Sequence, residues 1–223
     1  MIEEIVPAMA ACAEAFDRSP GTGLFPEEEA LVARATDKRR QEFATGRECA
    51  REALAALGVG KAPILRGYRG APQWPDGVAG SITHCAGYCA AAVARTHDLA
   101  AIGLDAEPND TLPGGVLELV SLPGERARLR DLSAAAPEIS WDRLLFCAKE
   151  AVYKAWFPLT GRWLGFADAD ITIDPADGTF SARLLVPAPA GAPLGDGFTG
   201  KWLARGGFIL TAIAVPAWSP VPA

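Results

Sequence analysis

Hydrophobic and polar residues alternate with a helical period early in the chain. We predict a helix from about Glu27 to Leu57, broken near Thr36 and stopped at Gly58. Pro26 and the three glutamates after it are typical of a helix start, because acidic side chains favour the positive end of the helix dipole. This first half therefore begins with a long helical segment.

Short apolar or alternating runs follow this helix and indicate strands. They are VAGSITH, YCAAAVAR and AAIGLDAE. The intervening stretch KAPILRGYRGAPQWPDG is rich in proline, glycine and arginine and is predicted to be a loop. A long helix, a loop and a small group of strands thus make up the first half of the chain.

The second half repeats this order. A helical pattern covers LELVSLPGERARLRDL in pieces and then SWDRLLFCAKEAVYKAWF, with Ser140 as N-cap. Strands are predicted at ADITID, GTFSARLLV, GFTGKWLARG and GFILTAIAV, with hairpin turns at DPADG and ARGG. Residues 187–197 and the tail PAWSPVPA are predicted to be irregular. We therefore expect an α+β fold of two related halves, 1–110 and 111–223, each a long helix packed on a small antiparallel sheet.

Composition and charge narrow the protein class. Half of the residues are hydrophobic, 22% are charged and the net charge is −6, which is typical of a folded protein and disfavours a broad nucleic-acid surface. No apolar run approaches the roughly 20 residues that a membrane span needs. The N-terminal segment lacks the basic region of a signal peptide, so we expect a cytoplasmic protein without a membrane. Five cysteines and two histidines favour reduced thiols over disulfides or zinc.

Basic residues are concentrated between Arg34 and Arg69, where the sequence contains nine lysines and arginines and only four acidic residues. A local basic patch on an acidic protein fits one small polyanion better than a long one. The alternative is a solvated helix face followed by a loop. His84, in GSITHC, follows this region and either completes a phosphate pocket with Arg66 and Arg69 or is structural.

Two acidic segments are candidate metal ligands. In the strand GLDAE, Asp105 and Glu107 project on one side, and paired carboxylates of this kind suit Mg2+. The alternative is a strand that becomes polar as it ends at Pro108. In FCAKEAVYKAW, helical spacing places four side chains on one face: Lys149, Glu150, Tyr153 and Lys154. That face is either an exposed edge supported by the Glu150–Lys154 pair or, as its aromatic neighbours favour, a covered cleft.

Four motifs occur together, in the order GRECAR, PQWPDGVAGSITH, GLDAE and FCAKEAVYKAW. In order, spacing and identity they resemble the 4'-phosphopantetheinyl transferases of the Sfp and EntD (enterobactin synthase component D) type, in particular the actinobacterial PptT-like branch. The motifs span residues 46–156, and the last third of the chain is similar only in general character. The resemblance implies a pseudo-twofold pair of halves with the active site between them.

The resemblance also implies roles for individual residues. By position, the metal site would comprise Asp105, Glu107, Glu150 and the backbone near Ala106. The 3'-phosphate and adenine end of coenzyme A (CoA) would be held by Arg39, Arg47, Arg66, Gly67, Tyr68, Arg69, Thr83 and His84, with Arg51 as a weaker addition. The pyrophosphate and reaction centre would be served by Asp105, Lys149, Glu150 and Lys154. Glu150 is the implied base, acting directly or through a metal-bound water.

The implied reaction is Mg2+-dependent transfer of phosphopantetheine from CoA to a serine of an apo acyl or peptidyl carrier protein, releasing 3',5'-ADP. Mn2+ is the alternative metal, and a monomer is expected. The carriers would serve fatty-acid, polyketide, nonribosomal-peptide or siderophore synthesis. Two rivals remain open. A Mg2+-dependent pyrophosphate hydrolase would release product without a carrier, and a noncatalytic CoA-binding module would bind CoA in the presence of EDTA.

Overall fold

The computed structural model describes residues 1–16, 23–188 and 194–217 of the chain. Part of the loop predicted at 187–197 and most of the predicted irregular tail lie outside these residues. The described residues contain two antiparallel sheets, each packed by a 20-residue helix. This confirms the predicted α+β class. None of the helices in the described ranges is long and apolar enough to cross a membrane.

The first helical segment is divided where the sequence predicts a break. Helix α1 covers Pro26–Val32 and α2 covers Asp37–Ala56. Thr36 is the N-cap of α2, and its hydroxyl accepts a 3.3 Å hydrogen bond from the Arg39 N–H. The chain leaves α2 through Gly58, whose φ of +70° lies in the left-handed region that glycine adopts easily. Both predicted boundaries are confirmed.

Helix α2 packs on a sheet with the strand order β1-β3-β2. Strand β1 covers Ala11–Phe16, β2 covers Val78–Cys85 and β3 covers Tyr88–Arg95. The last two were predicted, whereas β1 was not. Its sequence ACAEAF contains one strong strand former, Phe16, so propensity gives little signal. Strand β1 pairs with β3 along its whole length, and this pairing stabilises the strand despite its weak propensity.

The second sheet has the strand order β4-β8-β7-β6-β5. Its strands are β4 Leu99–Pro108, β5 Ala169–Asp174, β6 Thr179–Leu184, β7 Gly197–Arg205 and β8 Phe208–Pro216. The predicted turns DPADG and ARGG join β5 to β6 and β7 to β8 as antiparallel hairpins. Gly206 and Gly207, both at positive φ, form the second turn.

Three helices cover or flank this sheet: α3 Val116–Val120, α4 Pro123–Ala135 and α5 Trp141–Thr160. Ser140 is the N-cap residue of α5 as predicted, although its side chain makes no capping hydrogen bond. Strand β4 precedes residue 110 but pairs with β8 from the end of the chain. The two sequence halves are therefore interlocked through β4, and the boundary at 110 stays a prediction.

Helix α5 lies against β4 and β8 more closely than its amphipathic pattern predicts. At Gly103 of β4, an added Cβ would lie 2.0 Å from the Ala151 carbonyl oxygen and 2.8 Å from the Ala155 nitrogen. Only glycine allows this approach. The contact fixes the distance between GLDAE and the helix that carries Glu150.

Replacing Gly103 with alanine therefore tests the close packing of β4 on α5. We expect Gly103→Ala to reduce the free energy of unfolding by roughly 3 kcal/mol or more, because the strand and helix backbones must separate. Thermal unfolding measures the effect. Gly60→Ala is the matched control, since Gly60 is exposed and has open space around its Cβ position. Equal unfolding temperatures for the two variants would contradict the close packing.

Candidate active site

Two hydroxyls on β2 connect the two sheets. The Ser81 hydroxyl accepts a 3.0 Å hydrogen bond from the Leu104 N–H, and the Thr83 hydroxyl accepts one of 2.9 Å from the Ala106 N–H. Both hydroxyls are buried and lie two residues apart, so they face the same side of β2. They therefore hold β4 beside β2 at the point where its acidic residues begin.

Asp105 is the centre of the candidate site. It is only 6% exposed, and its Oδ1 accepts hydrogen bonds from the Thr83 hydroxyl at 3.3 Å and from the Lys154 ammonium at 2.7 Å. Its Oδ2 is buried and has no hydrogen-bond partner among the described residues. A buried carboxylate oxygen without a partner is costly, and a bound cation would satisfy it.

Glu150 and Glu107 lie within the electrostatic reach of Asp105. Burial and the charge of Asp105 raise the pKa of Glu150, against the opposing effect of Lys154. Burial and Asp105 also raise the pKa of Glu107, although Arg143 opposes the shift. The Arg143 guanidinium lies 3.1 Å from Glu107 Oε2. Mutual repulsion among three carboxylates would be relieved by a divalent cation.

The donor chemistry of this group fits Mg2+, which prefers carboxylate oxygens. In the parts of the chain that the structure describes, however, no three His, Cys, Asp or Glu side chains are already gathered at metal-binding distances. Lys154 engages one oxygen of Asp105 and Arg143 engages one of Glu107. The unpartnered Asp105 Oδ2 is the observation in favour of a cation. Ala106 has its N–H committed to Thr83.

Lys149 is the predicted site residue that the structure does not bring to this group. It is 4% exposed, and its ammonium forms a 2.9 Å ion pair with Glu125. It also donates to the carbonyl oxygens of Phe166 and Ala169 at 2.6 and 2.9 Å. Lys149 thus lies on the α4 and β5 side of the helix, where it also lines a small cavity with Glu150 and Tyr153. Its predicted contact with the pyrophosphate stays a prediction.

Lys154 occupies the position expected of a cleft cation. Burial disfavours its charged form, but Asp105 and Glu150 outweigh this and raise the pKa of Lys154. Its side chain keeps 27% of its surface exposed. The ammonium therefore remains charged and faces the same cleft as Glu150.

A cavity of about 130 Å³ lies in the first half of the fold, and its lining includes four basic side chains and one acidic side chain, Glu42. The sequence-predicted residues that line it are Arg39, Arg47, Arg66 and His84. An Arg39 nitrogen lies 2.7 Å from His84 Nε2. Partial desolvation and then Arg39 lower the pKa of His84, and burial lowers the pKa of Arg47 to about 10. A phosphate here would meet several cationic or donor groups.

Phe43 orders two of these arginines. The guanidiniums of Arg47 and Arg66 lie 4.2 and 4.9 Å from its ring centroid, within cation–π distance. Arg51, predicted as a weaker addition, does not line the cavity; it pairs with the buried Glu28 at 3.0 Å. Thr83 is buried at the junction of the sheets and is not among the residues that line this cavity.

A second cavity, of about 440 Å³, adjoins the first and is mainly apolar. The two share Gly70, Pro72 and Ile82 in their walls, and the larger one extends to Glu150 and Lys154. Its aromatic walls include Trp74, Tyr153 and Phe157. The basic cavity is therefore adjacent to a larger one that reaches Glu150 and Lys154.

The loop between α2 and β2 closes over these cavities. Tyr68 stacks on Phe157 with ring centroids 6.0 Å apart, and the Arg69 guanidinium lies 5.1 Å from the Trp163 ring centroid. Arg69 has a φ of 55°, an uncommon conformation for a residue other than glycine. The predicted residues Gly67, Tyr68 and Arg69 thus belong to a loop that contacts α5.

Comparison with known proteins identifies the family of this chain. The model for the 4'-phosphopantetheinyl transferase N-terminal domain matches residues 27–94, and the model for the 4'-phosphopantetheinyl transferase superfamily matches residues 101–202. The chain belongs to the 4'-phosphopantetheinyl transferase superfamily. The sequence-based prediction of the family and of a transferase is confirmed.

Individual relatives in this superfamily cover almost the whole chain. The 4'-phosphopantetheinyl transferase Svp of Streptomyces mobaraensis is 56% identical, over 97% of this chain and 90% of its own length. The corresponding PptT of Mycobacterium tuberculosis is 49% identical, over 96% and 98%. Enterobactin synthase component D of Salmonella typhi is more distant, at 32% identity over 79% and 72%.

Some residues of this transferase site were missed by sequence reasoning. Trp74 was part of a quoted motif but had no role assigned, and Arg143 and Phe43 were not singled out. Arg143 lies seven residues before Glu150, which places both on nearly the same side of a helix. This spacing was the available signal for Arg143. Nothing in the local sequence indicates that Phe43 packs under two arginines.

Thr83→Val tests the contact between the sheets. Valine keeps the shape of threonine but leaves the Ala106 N–H and Asp105 Oδ1 without this hydroxyl. We expect a loss of about 1–3 kcal/mol in the free energy of unfolding. Chemical denaturation measures it. Thr172→Val, at an exposed position on β5, is the control, and an equal loss in both variants would contradict a special role for Thr83.

Proposed function

We propose that this transferase moves the 4'-phosphopantetheine group of CoA to a serine hydroxyl of an apo carrier protein and releases 3',5'-ADP. The observation that carries the proposal is the arrangement around Asp105, where a buried unpartnered carboxylate oxygen lies beside Lys154 and near Glu150. Membership of the superfamily supplies the reaction class. The two adjoining cavities supply places for the two ends of CoA.

The basic cavity suits the 3'-phosphate of CoA, and the apolar cavity suits the pantetheine arm. Arg39, Arg47, Arg66 and His84 would contact the phosphate end. A phosphate dianion beside His84 would favour its protonated form and reverse the present lowering of its pKa. Tyr68 and Arg69 would close over the substrate. The pyrophosphate would then lie in the larger cavity, beside Lys154.

Asp105, Glu107 and Glu150 would hold Mg2+, with the β4 backbone at Ala106 beside them. When bound, Mg2+ would offset negative charge on the pyrophosphate oxygens. Its arrival would satisfy Asp105 Oδ2. For Glu107 to contribute both oxygens, its contact with Arg143 would have to loosen. The proposal that Asp105 binds Mg2+ therefore does not depend on the proposal that Glu107 binds it.

Glu150 would accept the serine proton as the hydroxyl oxygen attacks the β-phosphorus of CoA. The new P–O bond joins serine to phosphopantetheine, and the bond to 3',5'-ADP breaks. Burial and Asp105 raise the pKa of Glu150 in the absence of a cation, whereas bound Mg2+ would lower it. Lys154, held in place by Asp105, would stabilise charge on the leaving pyrophosphate oxygen. Because these groups are fixed before reaction, little reorganisation is required.

The partners of the enzyme would be CoA and acyl or peptidyl carrier proteins. These would belong to fatty-acid, polyketide, nonribosomal-peptide or siderophore synthesis, and the reaction would take place in the cytoplasm. We propose a monomeric enzyme that acts without nucleic acid or membrane. The net charge of −6 and the local basic cavity are in keeping with a small anionic substrate.

Glu150→Gln should abolish transfer because the amide neither accepts the serine proton nor binds Mg2+ as a carboxylate does. The measurement is the mass of an apo carrier incubated with CoA, Mg2+ and enzyme. Wild type should add one phosphopantetheine, and EDTA should prevent the addition. A full adduct with Glu150→Gln would overturn the assignment. Release of phosphopantetheine by wild type without any carrier would instead favour a hydrolase.

His84→Ala should weaken binding of CoA by about 10-fold to 100-fold, the effect of losing a hydrogen bond to a charged group. Isothermal titration calorimetry measures the affinity. Dephospho-CoA, which lacks the 3'-phosphate, is the matched ligand, and its affinity should be nearly the same for wild type and variant. An equal loss for both ligands would contradict a 3'-phosphate contact at His84.

A further inference from the structure

Each half of the fold contains a buried glutamate in the same local structure. In the first half, Phe25-Pro26 leads into α1, and Glu28 is the third residue of that helix. In the second half, Leu122-Pro123 leads into α4, and Glu125 is again the third. Both glutamates accept a hydrogen bond from the N–H of the residue before the proline, at 3.0 and 2.6 Å. The sequence pattern apolar-Pro-x-Glu is thus repeated.

The contacts of the two glutamates also correspond. Glu28 is 0% exposed, pairs with Arg51 of α2 and accepts a 2.8 Å hydrogen bond from the Ile64 N–H. Glu125 is 1% exposed, pairs with Lys149 of α5 and accepts a 2.7 Å hydrogen bond from the Ile171 N–H. In both halves a helix start, the long helix and a later segment meet at one carboxylate.

The carbonyl oxygens of the two isoleucines also accept side-chain hydrogen bonds, of 2.7 Å from Arg47 and 2.8 Å from Arg128. These donors lie on different elements, Arg47 on α2 and Arg128 on α4. The correspondence therefore rests on the glutamates, whose ion-pair partners Arg51 and Lys149 take equivalent places in the two halves. Arg51 lies outside the basic cavity and is structural. The equivalence predicts the same kind of role for Lys149.

The hydrogen bonds of Lys149 agree with this role. An ammonium has three N–H donors, and three acceptors surround this one: Glu125 Oε2, the Phe166 carbonyl and the Ala169 carbonyl. The donors are thus fully used within the protein. Lys154, by contrast, has a carboxylate of the reaction centre as its partner and a partly exposed side chain. Of the two lysines in the KEAVYK helix, Lys154 lines the cavity of about 440 Å³, whereas Lys149 lines the small cavity beside Phe166 and Ala169.

We propose that Lys149 is a positioning residue and not a pyrophosphate ligand. It fastens the Phe166–Ala169 segment and the start of α4 to α5. Phe166 and Ala169 also line a small cavity with Glu150. Loss of the Lys149 anchor would therefore displace the wall beside the proposed base. The catalytic part of this inference rests on the proposed function, whereas the structural part does not.

The unfolding temperature and the transfer kinetics of four variants test this anchor. They are Lys149→Met, Lys149→Arg, Glu125→Gln and the double variant Glu125→Gln with Lys149→Met. Breaking a buried ion pair should lower the unfolding midpoint by on the order of 10 °C. The double variant should lose less than the sum of the two single losses, because both remove one interaction. Lys149→Arg should retain most of the stability, since arginine fills the equivalent place at Arg51.

The transfer kinetics distinguish a positioning role of Lys149 from direct binding of the pyrophosphate. Lys149→Met and Glu125→Gln should both lower kcat, by up to on the order of 100-fold through misplacement of the site, with little change in KM for CoA. Lys149→Arg should restore kcat. Lys154→Met is the matched control and should weaken CoA binding. Glu125 lines neither of the two cavities that contain Glu150, so its variant distinguishes the two roles even if Lys149→Met does not fold.

Two results would overturn the proposal. One is a Lys149→Met protein with the wild-type unfolding temperature and a raised KM for CoA. The other is full transfer by Glu125→Gln together with additive unfolding losses in the double variant. If wild type transfers nothing to any carrier, the proposed function fails, but the unfolding temperatures and CoA calorimetry still decide the role of Lys149.

Discussion

The two sheets meet where the hydroxyls of Ser81 and Thr83 on β2 accept hydrogen bonds from the backbone of β4. The Thr83 hydroxyl also donates to Asp105, so it links the spacing of β2 and β4 to the orientation of the central carboxylate. The other side of β4 is limited by Gly103, which brings α5 into contact with the strand. Asp105, Glu150 and Lys154 come together because β4 is held from both sides.

The close approach of Asp105, Glu150 and Lys154 changes the pKa values of Glu150 and Lys154. Asp105 and Glu150 raise the pKa of Lys154, and Asp105 raises that of Glu150. Lys154 and Arg143 engage one oxygen each of Asp105 and Glu107, and Asp105 Oδ2 is left without a hydrogen-bond partner among the described residues. A structure optimised for stability alone would replace or pair that oxygen. A divalent cation would neutralise the excess negative charge of these carboxylates. Lys154 would then balance the negative charge that the pyrophosphate adds.

The sequence predicted the strands and helices that carry strong periodicity, together with the four motifs. It did not predict β1, whose alanine-rich segment depends on pairing with β3. Helical spacing grouped Lys149 with Glu150, Tyr153 and Lys154 on one face, and the family resemblance implied a pyrophosphate contact for it. The partners that draw Lys149 away, Glu125 and the Phe166 carbonyl, are distant in sequence. Spacing on a helix thus identifies a face, but only tertiary contacts decide whether that face is a cleft or a core.

The repeated apolar-Pro-x-Glu pattern explains how related halves can carry different chemistry. Its glutamate fixes a helix start to the long helix in each half, at Arg51 and at Lys149. Once the frame is fixed in this way, other positions of the long helices are free to differ. Helix α2 supplies Arg39 and Arg47 to the basic cavity, whereas α5 supplies Glu150 and Lys154 to the reaction centre. Both halves thus contain the ion pair. The residues that would bind substrate in one half and serve the reaction in the other lie at other positions of the same long helices.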